Sequence, residues 1–413
     1  MANGLTTVGE QIEANRMIAR VNNHFRAAFF LGFASLASWM PTLTVWLQDQ
    51  DIAGSHIGYV SAIPWIAMLV IQPIWGVIAD KTGKKKCFTI ASWASASLFL
   101  SYTFIDSALL TIIVITALMS LFNAPILSLL DSMALDHIES HSSLSYSSLR
   151  FWGAPGFAAG ALLTSILTAR FGIDTMFYTS GLFLLLAWIA IYPISMNANN
   201  AKKSEISFKG LSPIMREKNL LIFLLILIAV SVAQSSSTFY LTIYLREIGS
   251  TPEITGIALA VQALSELPFY FIAAWLLRKT APANILLVAI FGTALRLFLY
   301  SINQNAYYVI AIETLNGISW TLLWISSVEY VNSMVAAQWR TTGQSLIWAA
   351  YFGGGAIAGN ILAGRLYEIM PMRRVFGINS AFACIAGILA LGVFMIFRER
   401  PGPLKPSSTT MHS

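Results

Sequence analysis

Residues 76 to 86 read Gly76-Val77-Ile78-Ala79-Asp80-Lys81-Thr82-Gly83-Lys84-Lys85-Lys86, a charged turn set between two long apolar runs. Each flanking run approaches the length of about 20 helical residues that crosses a hydrocarbon core of roughly 30 Å. The chain therefore reads as leaving a membrane, turning and re-entering it. Gly83 suits the tight turn, Gly76 leaves room for a neighbouring helix, and Lys84 to Lys86 hold the turn on the cytoplasmic side. Asp80 closes an apolar helix at its negative dipole end, where a carboxylate is disfavoured, so it calls for a partner elsewhere.

Working outward, the whole chain repeats this pattern. Of its 413 residues, 56% are hydrophobic and 11% charged, against about 25% charged in a soluble domain. Apolar spans fall at about 24–48, 56–79, 87–105, 108–130, 147–169, 175–194, 219–245, 254–277, 283–302, 305–333, 342–367 and 374–397. In lipid an apolar backbone must satisfy its own hydrogen bonds, and the Leu, Ile, Ala and Phe content lacks the alternation of a transmembrane barrel. The predicted fold is an all-α integral membrane protein of twelve transmembrane helices in two six-helix halves.

Lys and Arg fall unevenly between the loops. If the spans alternate, Arg16, Arg20, Lys81, Lys84 to Lys86, Lys202, Lys203, Arg278, Lys279, Arg340 and Arg398 share one side, and Arg170, Arg246, Arg365, Arg373 and Arg374 the other. Both termini are expected in the cytoplasm of a multi-pass inner-membrane protein. The net charge of +6 is that asymmetry and not a nucleic-acid footprint. Nothing before residue 24 reads as a cleaved signal. Cys87 and Cys384 are too few and too far apart for a disulfide or metal framework. His137, Glu139 and His141 read as a solvated loop after span 4, so neither a metal nor a cofactor is expected.

The predicted organisation is an N-terminal segment 1–23, a six-helix half 24–194, a polar linker 195–218, a second half 219–397 and a tail 398–413. A shift of 198 residues sets Gly58 on Gly256, and a shift of 199 sets Gly156 and Gly160 on Gly355 and Gly359. Parallel repeats of this sort place a solute site between halves near mid-membrane. Each glycine pair, four residues apart, lies on one helix face; tight packing or a moving interface both follow from that.

The spacing Gly76-x3-Asp80-x2-Gly83-Lys84, between the second and third spans, resembles the corresponding loop of the major facilitator superfamily of secondary transporters. That likeness implies a conformational latch formed by Gly76, Asp80, Gly83 and Lys84. The matching loop of the second half, Trp275-Leu-Leu-Arg-Lys-Thr280, lacks the aspartate and both glycines, so one latch is expected. Asn123-Ala-Pro-Ile, Asp131, Tyr146-Ser-Ser-Leu-Arg150-Phe-Trp-Gly153, Ser265-Glu266, Leu295-Arg296, Glu313-Thr-Leu-Asn316-Gly and Thr341-Thr-Gly-Gln344 are similar to the group containing lactose permease, nucleoside:proton symporters and phenylpropionate permeases. The likeness implies that Asp131 and Arg150 bind solute and that Phe157 stands at a ring-stacking position. It also implies that Glu266 and Arg296 belong to the proton site. The span 10 histidine and final carboxylate of lactose permease are missing; Glu313, Asn316 and Ser319/Trp320 stand there instead.

Charge within the bilayer costs at least about 2.5 kcal/mol per residue, which makes each buried ionisable group a functional candidate. Arg296 and Glu313 sit within roughly 3 Å of one another in depth at 1.5 Å per residue and are expected to pair. Glu266 is taken as the main proton carrier, with Arg296 and Glu313 modulating it; a static pair that only fixes packing is the competing reading. Asn123, Gln262 and Trp320 join the solute-binding candidates. The expected activity is proton-coupled symport of a small polar solute: an oligosaccharide, a nucleoside or an aromatic acid. Proton-coupled efflux of drugs or metabolites is the alternative, and a membrane solute sensor is one of another class. The expected partners are the solute, protons and the lipid bilayer, with no nucleic acid, and the protein is expected to be a monomer. No Gly-rich nucleotide loop, metal cluster or nucleophile–base pair outside lipid suggests an enzyme.

Overall fold

In a computed structural model the described residues, 2–105, 108–139, 145–194, 217–335 and 339–397, are mostly helical and contain no strand. Its apolar helices are α1 (Asn15–Asp49), α2 (Gly54–Thr82), α3 (Lys84–Phe104), α4 (Leu109–Glu139), α5 (Tyr146–Phe171), α6 (Thr175–Ile191), α7 (Lys218–Phe239), α8 (Pro252–Leu277), α9 (Pro282–Ile302), α10 (Ala306–Met334), α11 (Thr342–Ile369) and α12 (Met372–Ile396). Eleven are long and apolar enough to cross a membrane, and α6 is a shorter apolar helix at the place of the sixth span. The linker up to residue 216 and the tail 398–413 lie outside the described residues. Helix begins earlier than the first apolar run, at Ala2, and runs to Trp39; a turn over 40–42 separates it from the last piece of α1, Leu43–Asp49.

Local chemistry sets several boundaries. Thr251 caps α8, its hydroxyl accepting from the Ile254 N–H, and Pro252 occupies the first helical position, where its missing N–H costs nothing. Pro282 opens α9 in the same way. Asn305 starts α10 by accepting from the Tyr307 N–H at 2.9 Å. Gly83 takes φ +99°, the left-handed geometry that the turn between α2 and α3 needs.

The chain divides into two compact units, residues 1–42 with 70–203, and residues 43–69 with 204–413. In the first unit, a Cβ on Gly156 or Gly160 would overlap the backbone of Phe30 or Ala34, so α5 and α1 touch main chain to main chain. Hydroxyls knit α1, α5 and α6: the Thr164 hydroxyl lies 2.8 Å from that of Ser38 and 3.0 Å from that of Thr179. In the second unit, Gly355 and Gly359 repeat the arrangement against Ser231 and Ser235 of α7. The glycine pairs thus have a packing role in both units.

The second unit also takes in the end of α1 and the first half of α2. Gly58 of α2 meets α11 so closely that a Cβ there would stand 2.8 Å from the Asn360 carbonyl oxygen and 3.2 Å from the Gly364 Cα. Around this seam Gln48 donates to the Tyr367 hydroxyl at 2.8 Å, Arg365 to the Tyr59 hydroxyl at 2.7 Å, and the Ser55 N–H to Glu368 at 3.2 Å. Arg246 and Asp49 form an ion pair beside it.

Candidate functional site

The predicted site residues gather in two clusters, one in each unit. In the first, the short helical turn Tyr146–Arg150 puts Tyr146 and Arg150 four residues apart on one face. Both reach Asp131 of α4. The Tyr146 hydroxyl donates to Asp131 Oδ1 at 2.6 Å, and Arg150 Nε lies 3.5 Å from the same oxygen. The guanidinium sits 4.0 Å from the Phe33 ring centroid and 5.7 Å from that of Phe29. Gly153 makes this possible, since a Cβ there would stand 2.6 Å from Arg150 Nη1.

The guanidinium makes one long contact to the carboxylate and a bond to the Tyr146 hydroxyl; laid on an aromatic face, it keeps its remaining donors for a ligand. Asp131 likewise has acceptor capacity left for hydroxyl groups. Asn123 and Phe157 are half-buried, and among the described residues no hydrogen bond or ring contact joins them to this pair.

The second cluster is closed on itself. Arg296 of α9 donates from Nε to the Tyr300 hydroxyl at 2.9 Å and from Nη1 to Asn316 Oδ1 at 2.7 Å, with Ser319 Oγ at 3.3 Å. Its Nη2 pairs with Glu313 of α10, and the Tyr300 hydroxyl donates to the other Glu313 oxygen. Arg296 and Glu313 are both fully buried. Every oxygen of Glu313 and every nitrogen of Arg296 therefore has a partner, the condition under which a buried ion pair survives its desolvation.

One side chain leads out of this ring. Asn316 accepts from Arg296 and donates from Nδ2 to Glu266 Oε1 at 3.0 Å, so its amide links the buried pair to the half-buried carboxylate of α8. Gln262 takes part through its backbone, whose carbonyl accepts from Asn316 at 3.3 Å and from Ser265 at 2.7 Å.

At the turn read first, Asp80 is exposed and bonds to no described residue. Gly76, expected to admit a close neighbour, has no heavy atom within 4 Å of where a Cβ would stand. Lys84 donates to Asp136 at 2.6 Å, and Lys85 caps the end of α6 through the carbonyls of Tyr192 and Ile194 at 2.6 and 2.8 Å. The lysines are thus engaged with α4 and α6, not with Asp80. His137 is also engaged: Nε2 lies 2.8 Å from Asn22 Oδ1 and the ring stacks near Phe25 at 5.4 Å. It belongs to the last turn of α4 and is packed, which corrects its reading as a solvated loop residue; His141 lies outside the described residues. No group of three His, Cys, Asp or Glu that could hold a metal occurs among the described residues.

Sequence reading missed three members. Tyr300 stands four residues after Arg296, a spacing that marks one helix face and could have been used. Tyr146 belongs to the quoted motif but had no role. Phe33 carried no signal, because it reaches Arg150 from a helix more than a hundred residues away.

An all-α array of apolar helices with two separate arginine–carboxylate centres inside it defines a multi-pass membrane transporter. The chain matches the MFS_1-like family over residues 24–378 and belongs to it. It is similar to the maltose permease of Geobacillus stearothermophilus, 28% identical with 91% of this chain and 95% of the relative covered. The melibiose permease of Enterobacter cloacae is 25% identical over 90% of this chain and 91% of its own, and the xanthosine permease of Escherichia coli 22% identical over 91% and 96%. A crystal structure of the nucleoside transporter NupG superposes with a TM-score of 0.80 at 16% identity, covering 91% of this chain and 99% of the other, which shows the same fold.

Proposed function

We propose that this protein moves a small polar solute, saccharide-like in chemistry, across the membrane together with protons by alternating access. Both termini face the cytoplasm of the inner membrane, and no step is enzymatic. The observation that carries this reading is the contrast between an open, aromatic-backed Arg150–Asp131 pair and a sealed Arg296–Glu313 pair joined through Asn316 to Glu266. The first suits hydroxyl-bearing ligands, because carboxylate accepts from and guanidinium donates to them in fixed geometry. The saccharide permeases among its relatives favour a saccharide.

Glu266 is the proton carrier in this scheme. It is the half-buried carboxylate of the second cluster, and its bond to Asn316 uses the amide as donor. Protonation removes its charge and frees it to move away from the Arg296 ring; deprotonation restores the bond. Arg296 and Glu313 stay paired throughout and hold Asn316 in place. Asp80, which bonds to no described residue here, acts as the latch in another conformation of the cycle. Purified protein in liposomes containing a pH-sensitive dye tests the scheme: addition of the transported saccharide should acidify the lumen. Solute uptake with no proton movement would exclude symport, and proton movement opposite to solute would indicate efflux.

A further inference from the structure

Two adjacent helices of the second unit each contain a π-helical stretch, Gly317–Leu322 in α10 and Ala349–Ala356 in α11. Such bulges shift side chains out of ordinary helical register and recur at functional sites. Here they serve one group of rings. Trp320 and Trp324 stack with centroids 5.6 Å apart and planes at 22°. Phe352 stacks on Trp348 at 4.7 Å and 28°, and on Trp65 of α2 at 5.0 Å and 20°. Trp324 meets Trp348 edge-on at 4.8 Å and joins the two stacks.

Trp320, Trp324 and Phe352 pack against the hydrophobic core of the second unit, but that packing does not account for the whole group. Trp348 remains 45% exposed, while Trp65 Nε1 is buried with no hydrogen-bond acceptor. An indole N–H out of water without a partner is costly and marks a position where an oxygen is wanted. Polar groups stand at helical spacing from the rings: Trp320 follows Asn316, the residue bonded to Glu266, by four positions on α10, and the half-buried Gln344 precedes Trp348 by four on α11.

Flat apolar faces bordered by amide and carboxylate groups match one chemistry well. A hexopyranose presents C–H bonds on its faces and hydroxyls at its edge. We infer that Trp65, Trp320, Trp324, Trp348 and Phe352 form a stacking subsite for a hexopyranosyl ring, with Trp65 Nε1 donating to one of its oxygens. The inference rests on the saccharide reading above and assigns ring recognition to α10 and α11, apart from the Arg150–Asp131 pair.

The test compares ring-closed with open-chain ligands. Full-length protein in liposomes is titrated with maltose, methyl α-glucopyranoside and sorbitol, which retains the hydroxyls but has no ring. The expected result is a preference of about tenfold for the ring-closed sugars, erased in Trp348→Ala and kept within about threefold in Trp348→Phe. Sorbitol binding should not change in either variant, which a general folding defect would not spare. If wild type accumulates maltose while Trp348→Ala and Trp324→Ala keep the ring preference, the subsite is wrong and the transport reading stands. Uridine is titrated in parallel, and its uptake to the exclusion of the saccharides would overturn the hexopyranose assignment. Failure of wild type to take any of these solutes would overturn both.

Discussion

Arg150 and Asp131 in the first unit keep 37% and 35% of their side-chain surface exposed, whereas Arg296 and Glu313 in the second keep 2% and 0%. Both are arginine–carboxylate pairs, and both have a tyrosine hydroxyl on the carboxylate. The first joins its members directly by one loose 3.5 Å contact and otherwise through the Tyr146 hydroxyl; the second has each polar atom bonded. An exposed pair contributes little to stability and can exchange its partner for a ligand, while a sealed pair stabilises only as long as both members remain. On the proposed reading, the same chemistry serves recognition in one place and scaffolding in the other.

The largest effect should come from breaking the sealed pair. Glu313→Ala leaves the Arg296 charge buried without its counter-ion and should cost about 3–5 kcal/mol, read as a large fall in thermal stability in detergent. Replacing both members together, Arg296→Met with Glu313→Leu, should restore much of that loss. A single variant as stable as wild type would mean that the pair is not sealed.

Next comes the seam that holds the first pair's helix in position. Gly156→Val drives a side chain into the Phe30 backbone of α1 and should cost about 1–3 kcal/mol by overpacking. Gly355→Val tests the equivalent seam of the second unit and should cost a similar amount. Gly76→Ala, with open space around it, should leave thermal stability unchanged.

Smaller still in stability, and larger in function, is the open pair. Asp131→Asn and Arg150→Lys should shift stability by less than about 1 kcal/mol, yet each should reduce solute uptake at low concentration by about tenfold or more through lost bidentate recognition. Radiolabelled uptake beside thermal unfolding separates the two quantities. A stability loss matching that of Glu313→Ala would erase the contrast between the pairs. A comparably small effect, on stability alone, is expected at the turn, where removing the partly exposed Lys84–Asp136 bridge with Lys84→Ala should change stability by at most about 1 kcal/mol.

Much of this could be read from the residues. The lipid core allows few backbone solutions, so the apolar spans declare their helices, and the 199-residue echo of the glycine pairs anticipates two like seams. Depth arithmetic along α9 and α10 put Arg296 beside Glu313, because rise per residue is fixed. Other features depend on which helices become neighbours, which spacing along a chain does not encode. Phe33 beneath Arg150, the Asn316 bridge to Glu266 and the ring group of α10 and α11 are of that kind. The π-helical turns likewise answer tertiary packing and leave no mark in local propensity. Gly76 and Asp80 show a further limit: a motif states that residues act together, but a single conformation need not bring them together.

The most direct measurement is proton flux in liposomes for Glu266→Gln beside wild type, driven by a saccharide gradient and, separately, by a pH gradient. Glutamine keeps the shape and can still accept from Asn316, but it cannot carry a proton. Saccharide should still equilibrate and exchange across the membrane, while saccharide-driven acidification and pH-driven accumulation should both disappear. Full pH-driven accumulation by Glu266→Gln would contradict the assignment of Glu266 as the proton carrier.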